Sequence, residues 1–128
     1  MIVSVSFISL GLMMENTIQK RTLSFGILIS KYYLSLKDKK YFEIASQLVK
    51  SWTSIGANVR EAQWWQSRKD FINKLSISLK EWYETLYWLE ILEKWFGEDV
   101  KELQNECEQI VKILTAIIKN TKSNDKFY

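Results

Sequence analysis

The one thiol in the chain, Cys107, has no histidine anywhere in 128 residues to activate it. Without histidine there is no Ser–His or Cys–His nucleophile pair, no Glu-x-x-His di-iron site of the kind built into helical bundles, and no imidazole zinc ligand. Carboxylates remain, but no pair of them stands apart from ordinary surface acids. Cys107 falls on an apolar helical stripe, where a cysteine behaves as a small core residue. A lone cysteine also excludes an intramolecular disulfide and fits a reducing, cytoplasmic compartment. The sequence predicts no catalytic, cofactor-binding or metal-binding residue, and a protein that is not an enzyme.

Cations have more to offer. Eighteen lysines and arginines against fifteen acids leave a net charge of +3, too mild by itself to imply a nucleic-acid partner. Their placement matters more, and that depends on the elements that carry them.

The absence of proline and the presence of only four glycines point to an all-α chain. Phe25, Ile29, Tyr32 and Leu36 mark a first helix over about 17–36, in which Gly26 costs roughly 1 kcal/mol against alanine. Lys37–Lys40 form a turn, and a second helix covers about 41–66. Gly56 sits in its middle, where close approach of a neighbouring helix is the expected reason for a glycine. Ser67 is the natural N-cap of a third helix, with Asp70 completing a shortened capping box, and Gly97 ends it. Val100, Leu103, Cys107, Ile110, Leu114 and Ile117 give a fourth helix over about 99–120. The expected architecture is one antiparallel up-down-up-down four-helix bundle over residues 17–121, with 122–128 as a frayed tail. Residues 1–16 read as a flexible or mis-called N-terminal extension, with Met13 or Met14 as the alternative start. Its apolar run is too short to span a bilayer and lacks the marks of a secretory signal, so no membrane role is expected.

Two seams run along each central helix. In the second, Leu48, Trp52, Ile55, Val59 and Ala62 are apolar, while Gln47, Ser51, Ser54, Asn58, Glu61 and Trp65 are mostly polar. In the third, Leu75, Leu79, Trp82, Leu86 and Leu89 are apolar, while Lys74, Ser78, Glu81, Thr85, Trp88 and Leu92 are mixed. Folding the pair back at Ser67 opposes Glu61 to Lys74, Asn58 to Ser78, Ser54 to Glu81 and Ser51 to Thr85. The polar seams are either solvated faces or a partly buried ladder that fixes register between helices. The run WYETLYWLEIL leaves little polar face, which marks Trp82 and Trp88 as candidates for a subunit interface. Leu86 and Leu114 are expected in the core.

The runs TSIGANVREA, QSRKDFINKL and SLKEWYETLYWLEIL resemble the family called four helix bundle protein, which includes proteins encoded by intervening sequences within bacterial 23S ribosomal RNA genes. The resemblance covers roughly residues 24–121. It implies an up-down-up-down bundle, commonly assembled as a ring-like pentamer, and no known reaction. More distantly, the fold resembles accessory proteins of diversity-generating retroelements, whose basic surface binds nucleic acid and a reverse transcriptase. The chain departs from the family pattern at Trp52, Trp65 and Trp82, where relatives carry small residues.

In such a bundle the start of the first helix, the second turn and the end of the fourth helix share one end. That end collects Lys20, Arg21, Arg68, Lys69, Lys119, Lys122 and Lys126, while the other mixes cations with Glu93, Glu98, Asp99 and Glu102. The expectation is a homo-oligomer that binds RNA, DNA or a nucleoprotein through its basic end. The alternative is a protein-interaction module docking through its third helix. The plainest account of Lys119 and Lys122 is that they complement a helix dipole.

Overall fold

The computed structural model describes residues 18–62 and 64–125; the expectations for the N-terminal extension and for Lys126 lie outside these residues. The described residues form four helices: α1 (Lys20–Asp38), α2 (Phe42–Ala62), α3 (Arg68–Lys94) and α4 (Lys101–Asp125). The connections between them are three, five and six residues long. A connection of that length spans at most roughly 25 Å, whereas the helices run about 28–40 Å. Each helix must therefore double back on the one before. α1 packs on α2 and α4, and α3 packs on α2 and α4, so α1 and α3 stand on a diagonal.

The helix ends follow local chemistry. α1 runs two residues past Leu36 and closes with Lys40 at φ 65. There the Tyr41 N–H donates to the Leu36 carbonyl at 3.0 Å and the Lys40 N–H to the Lys37 carbonyl at 2.9 Å, a Schellman closure made without glycine. α2 stops at Ala62, short of Gln66, because Ser67 must be extended (φ −155, ψ 164) to cap α3. The Ser67 hydroxyl accepts from the Asp70 N–H at 3.0 Å, and the Asp70 carboxylate accepts from the Gln66 N–H at 3.3 Å. Gly97, at φ 68, turns the chain out of α3. α4 continues to Asp125 rather than ending at Asn120. Thr121 is buried one turn beyond Ile117 and gives its hydroxyl hydrogen to the Ile117 carbonyl at 2.8 Å, so the core stripe carries on through a polar residue.

The core does not respect the two seams read from the sequence. On α3 it takes Phe71, Leu75, Ser78, Trp82, Thr85, Leu89 and Leu92, alternating members of the apolar and the mixed seam. Leu86 is only half-buried, as is Leu79, whereas Leu114 is fully buried. Trp82 is also fully buried, its ring edge-on to Phe25 of α1 with centroids 4.8 Å apart. It fills the centre of the bundle and is not available to a subunit interface. The expectation for Gly56 is corrected as well: a Cβ there would meet nothing within 4 Å. Gly26 is the glycine under pressure, since a Cβ on it would clash with the Trp52 ring.

Candidate nucleic-acid interface

The Cys107 thiol faces the Trp82 carbonyl at 3.6 Å and fixes the level of α3 against α4. Fourteen residues before Trp82 stands Arg68, and fourteen beyond Cys107 stands Thr121. Arg68 and Lys69, opening α3, are therefore level with Lys119 and Lys122 in the last two turns of α4. Lys69, Lys119 and Lys122 are exposed and Arg68 is half-buried. The first-turn N–H groups and the positive dipole end of α3 add to this field, while the Asp70 carboxylate subtracts from it.

The structure does not bring Lys20 and Arg21 into that cluster. α1 lies against α2 where Gly26 meets Trp52; six residues back is Lys20 and six residues on is Asn58. Asn58 stands opposite Ser78 in the register set by Ser51–Thr85, so Lys20 sits about three turns below Arg68 along the bundle axis. Arg21 reaches toward mid-bundle, its Nη1 lying 3.7 Å from Glu106 Oε1. The sequence reading set the start of α1 level with the second turn, but α1 has 19 residues against 27 in α3 and 25 in α4 and begins short of that end.

At the opposite end Lys39 and Lys37 are engaged. Lys39 Nζ lies 2.6 Å from Glu98 Oε2, the Tyr32 hydroxyl donates to Glu98 Oε1 at 3.0 Å, and Lys37 rides over the Tyr33 ring at 5.5 Å. Burial, with Glu98 adding to it, pushes the Tyr32 hydroxyl well above its ordinary range and keeps it a donor. Lys39 and Lys37 are thereby held at this end, whereas Lys69, Lys119 and Lys122 stand exposed at the other.

Of the four expected rungs between α2 and α3, two form. The Ser51 and Thr85 hydroxyls meet at 3.0 Å in the core, and Lys74 Nζ reaches Glu61 Oε2 at 3.0 Å. The second is a surface pair, with Glu61 57% and Lys74 32% exposed. Glu61 holds the Lys74 ammonium above its usual range. The Asn58 amide turns back to the Ser54 carbonyl at 2.9 Å and leaves the Ser78 hydroxyl buried without a hydrogen-bond partner. The Trp88 ring is half-buried against the core and tilted edge-on to Tyr87, centroids 5.2 Å apart, with its N–H also buried and unbonded. Burial, then the charges of Glu108 and Glu106, push the Cys107 thiol well above its ordinary range, the reverse of what a nucleophile needs.

The sequence reading missed one feature. A cavity of about 590 Å³ opens between α1 and α2, lined by Lys20, Thr22, Leu23, Trp52, Gly56 and Arg60 among others. Arg60, an exposed cation in the last turn of α2, had no assigned role; its spacing of four from Gly56 is the signal that could have found it.

The sequence profile described as 23S rRNA-intervening sequence protein matches residues 14–116. The chain belongs to this family. The match spans α1 to α3 and most of α4, and Lys119 and Lys122 lie just beyond it. The chain is also similar to a crystallised S23 ribosomal protein family member of unknown function from Bacteroides thetaiotaomicron VPI-5482. The two share 41% identity over 84% of this chain and 99% of that one, with a TM-score of 0.77. No curated protein matches the chain. Among the described residues, no helix of this family member is long and apolar enough to cross a membrane.

Proposed function

We propose that this intervening-sequence family protein is a non-enzymatic, homo-oligomeric bundle that grips the phosphate backbone of RNA or DNA through the end bearing Arg68, Lys69, Lys119 and Lys122. The observation that carries the reading is the common level of Arg68 and Thr121, which gathers cations from two helices around one helix N-terminus. The family description, with its reference to 23S rRNA, fits an RNA partner without assigning one. Contacts of this kind are made to phosphate, so affinity falls steeply with salt and depends little on base sequence.

Assembly is supported by apolar surface the monomer does not use. Ile27 and Leu34 form an exposed pair on α1, and Tyr83 and Tyr87 another on α3. These surfaces belong to diagonally opposed helices, so a contact between one and the other is head-to-tail, the kind of interface that a ring such as the pentamer implied by the resemblance requires. A ring would repeat the basic end around its rim. The same Tyr83–Tyr87 surface favours the second reading, a protein-interaction module without nucleic-acid binding.

The test compares Lys69→Glu with Lys122→Glu against Lys40→Glu with Lys101→Glu at the opposite end. Both double variants change net charge equally. The first pair should lower affinity for RNA more than ten-fold and flatten the dependence of log K on log salt by about 2. Equal losses in the two variants would reduce the effect to net charge. Failure of the wild-type protein to bind RNA or DNA at low salt would leave the protein-interaction reading in its place. Sedimentation at micromolar concentration checks assembly, and a clean 15.2 kDa species would overturn it.

A further inference from the structure

We propose that the cavity between α1 and α2 is a nucleotide subsite, taking one unstacked base of a single strand with its phosphate at Lys20 and Arg60. The cavity exists because Trp52 stands where the α1–α2 seam would otherwise close. Its indole presses on Gly26 and lies 5.7 Å from the Phe25 ring, wedging α1 away from α2 on the side toward the start of α1. One turn along from Trp52, Gly56 leaves the space open, with nothing within 4 Å of where its Cβ would be. The result is a concavity of about 590 Å³, within the range of roughly 300–1,000 Å³ typical of small-molecule sites.

Its chemistry is specific. Trp52, Leu23 and Val59 give an apolar and aromatic wall. Lys20 and Arg60 are exposed at the rim and have no ion-pair partner among the described residues. Thr22 is 6% exposed, lines the cavity, and its buried hydroxyl has no hydrogen-bond partner. An unpaired hydroxyl in such a place is costly unless a ligand completes it. Two cations, an aromatic surface and one unpaired hydroxyl match an anion that carries a flat, apolar body with a polar edge. A nucleotide has each of these parts, and charged grooves with interleaved aromatic side chains are how single strands are held without base-specific contacts. The polymer part of this inference rests on the proposed nucleic-acid reading; the mononucleotide part does not.

The probe is UMP, titrated into the full chain while backbone amide shifts are followed, together with a labelled single-stranded ten-mer and a duplex of equal length. Gly56→Leu fills the cavity from a position with free space and leaves every cation in place. Saturable shifts at Thr22, Gly56 and Arg60 are expected with UMP and weaker ones with uridine, which lacks the phosphate. In Gly56→Leu the UMP shifts should vanish and single-strand affinity should fall at least ten-fold, with duplex affinity unchanged within two-fold and no loss of thermal stability. Absence of UMP shifts in the wild-type protein overturns the subsite, and so does single-strand binding by Gly56→Leu within two-fold of wild type. Decanoate, an anion with an apolar chain but no polar ring edge, tests the ligand class: displacement of UMP at lower concentration than UMP itself requires overturns the nucleotide assignment. UMP binding without oligonucleotide binding sinks the basic-end reading and with it the single strand as occupant, leaving a mononucleotide site, and oligonucleotide binding indifferent to Gly56→Leu sinks the subsite alone.

Discussion

α2 makes two seams with opposite outcomes. Against α3 it closes: Ser51 meets Thr85 in the core, and Lys74 reaches Glu61 at the mouth. Against α1 it stays partly open, because Trp52 presses on Gly26 and leaves a cavity one turn further along. In the closed seam the short Ser51 and Thr85 side chains meet directly, so the two helices come close at that level. The open seam sets the largest side chain against the smallest, so contact concentrates at one point and space is left beside it. Close packing at one level of a bundle does not carry over to the next level when the side chains differ this much in volume.

The largest effect should come from removing the ring near which both seams meet. Trp82→Ala should cost about 3–5 kcal/mol in chemical denaturation, as is usual for a buried indole. A loss below about 1 kcal/mol would mean the bundle centre collapses to refill the space. Next come the two glycines, which should move stability in opposite directions. Gly26→Ala pushes the Trp52 ring out of its contact and should destabilise by about 1–3 kcal/mol. Gly56→Ala meets open space and should stabilise by up to about 1 kcal/mol, the helix-propensity gain. Thermal melts of the two variants moving in the same direction would erase the difference between the seams.

Ser51→Ala probes the closed seam. Three hydroxyl contacts surround this point: Ser51 to Thr85 at 3.0 Å, Ser51 to the Leu48 carbonyl at 3.1 Å and Thr85 to the Glu81 carbonyl at 2.9 Å. Two hydroxyl hydrogens cannot supply three bonds, so the site alternates between arrangements. Loss of Ser51 leaves Thr85 its bond to Glu81, and the cost should stay near 0.5–1.5 kcal/mol, about one net hydrogen bond. Two further tests use charge. Burial, then the neighbouring Glu84 carboxylate, raises the Glu81 carboxyl above its usual range. At neutral pH the folded state therefore carries a charge it disfavours, and that penalty lifts as pH falls through the raised value. Glu81→Gln should be more stable than wild type at pH 7, with the gain shrinking on acidification; a gain independent of pH would assign it to packing. The smallest effect is expected from Glu61→Gln with Lys74→Met. This pair is exposed at the mouth of the seam, so the coupling measured by the double-mutant cycle should disappear in about 1 M salt. Coupling that survives high salt would restore the shielded ladder.

Much of this was legible in the residues. The 3,4 spacing of α4 from Val100 to Ile117 placed its core stripe, Ser67 with Asp70 placed the start of α3, and the fold-back at Ser67 paired Ser51 with Thr85. Other features were decided by neighbours distant in sequence. Leu86 and Trp82 sit on the same apolar seam of α3, yet one is half-buried and the other central. Spacing gives a side chain's angle on its own helix, not which neighbouring helix lies there.

The sequence alone determined four helices, the reversal at each short connection, and the exclusion of histidine chemistry, because propensity, capping and composition act within a few residues or need no geometry at all. Only the tertiary structure decided which glycine is crowded, that Lys20 and Arg21 stand below the level shared by Arg68 and Lys122, and that a cavity opens beside Trp52. Those depend on where α1 begins and how far an indole holds two helices apart, quantities set by contacts between residues more than twenty positions apart. No local periodicity encodes them.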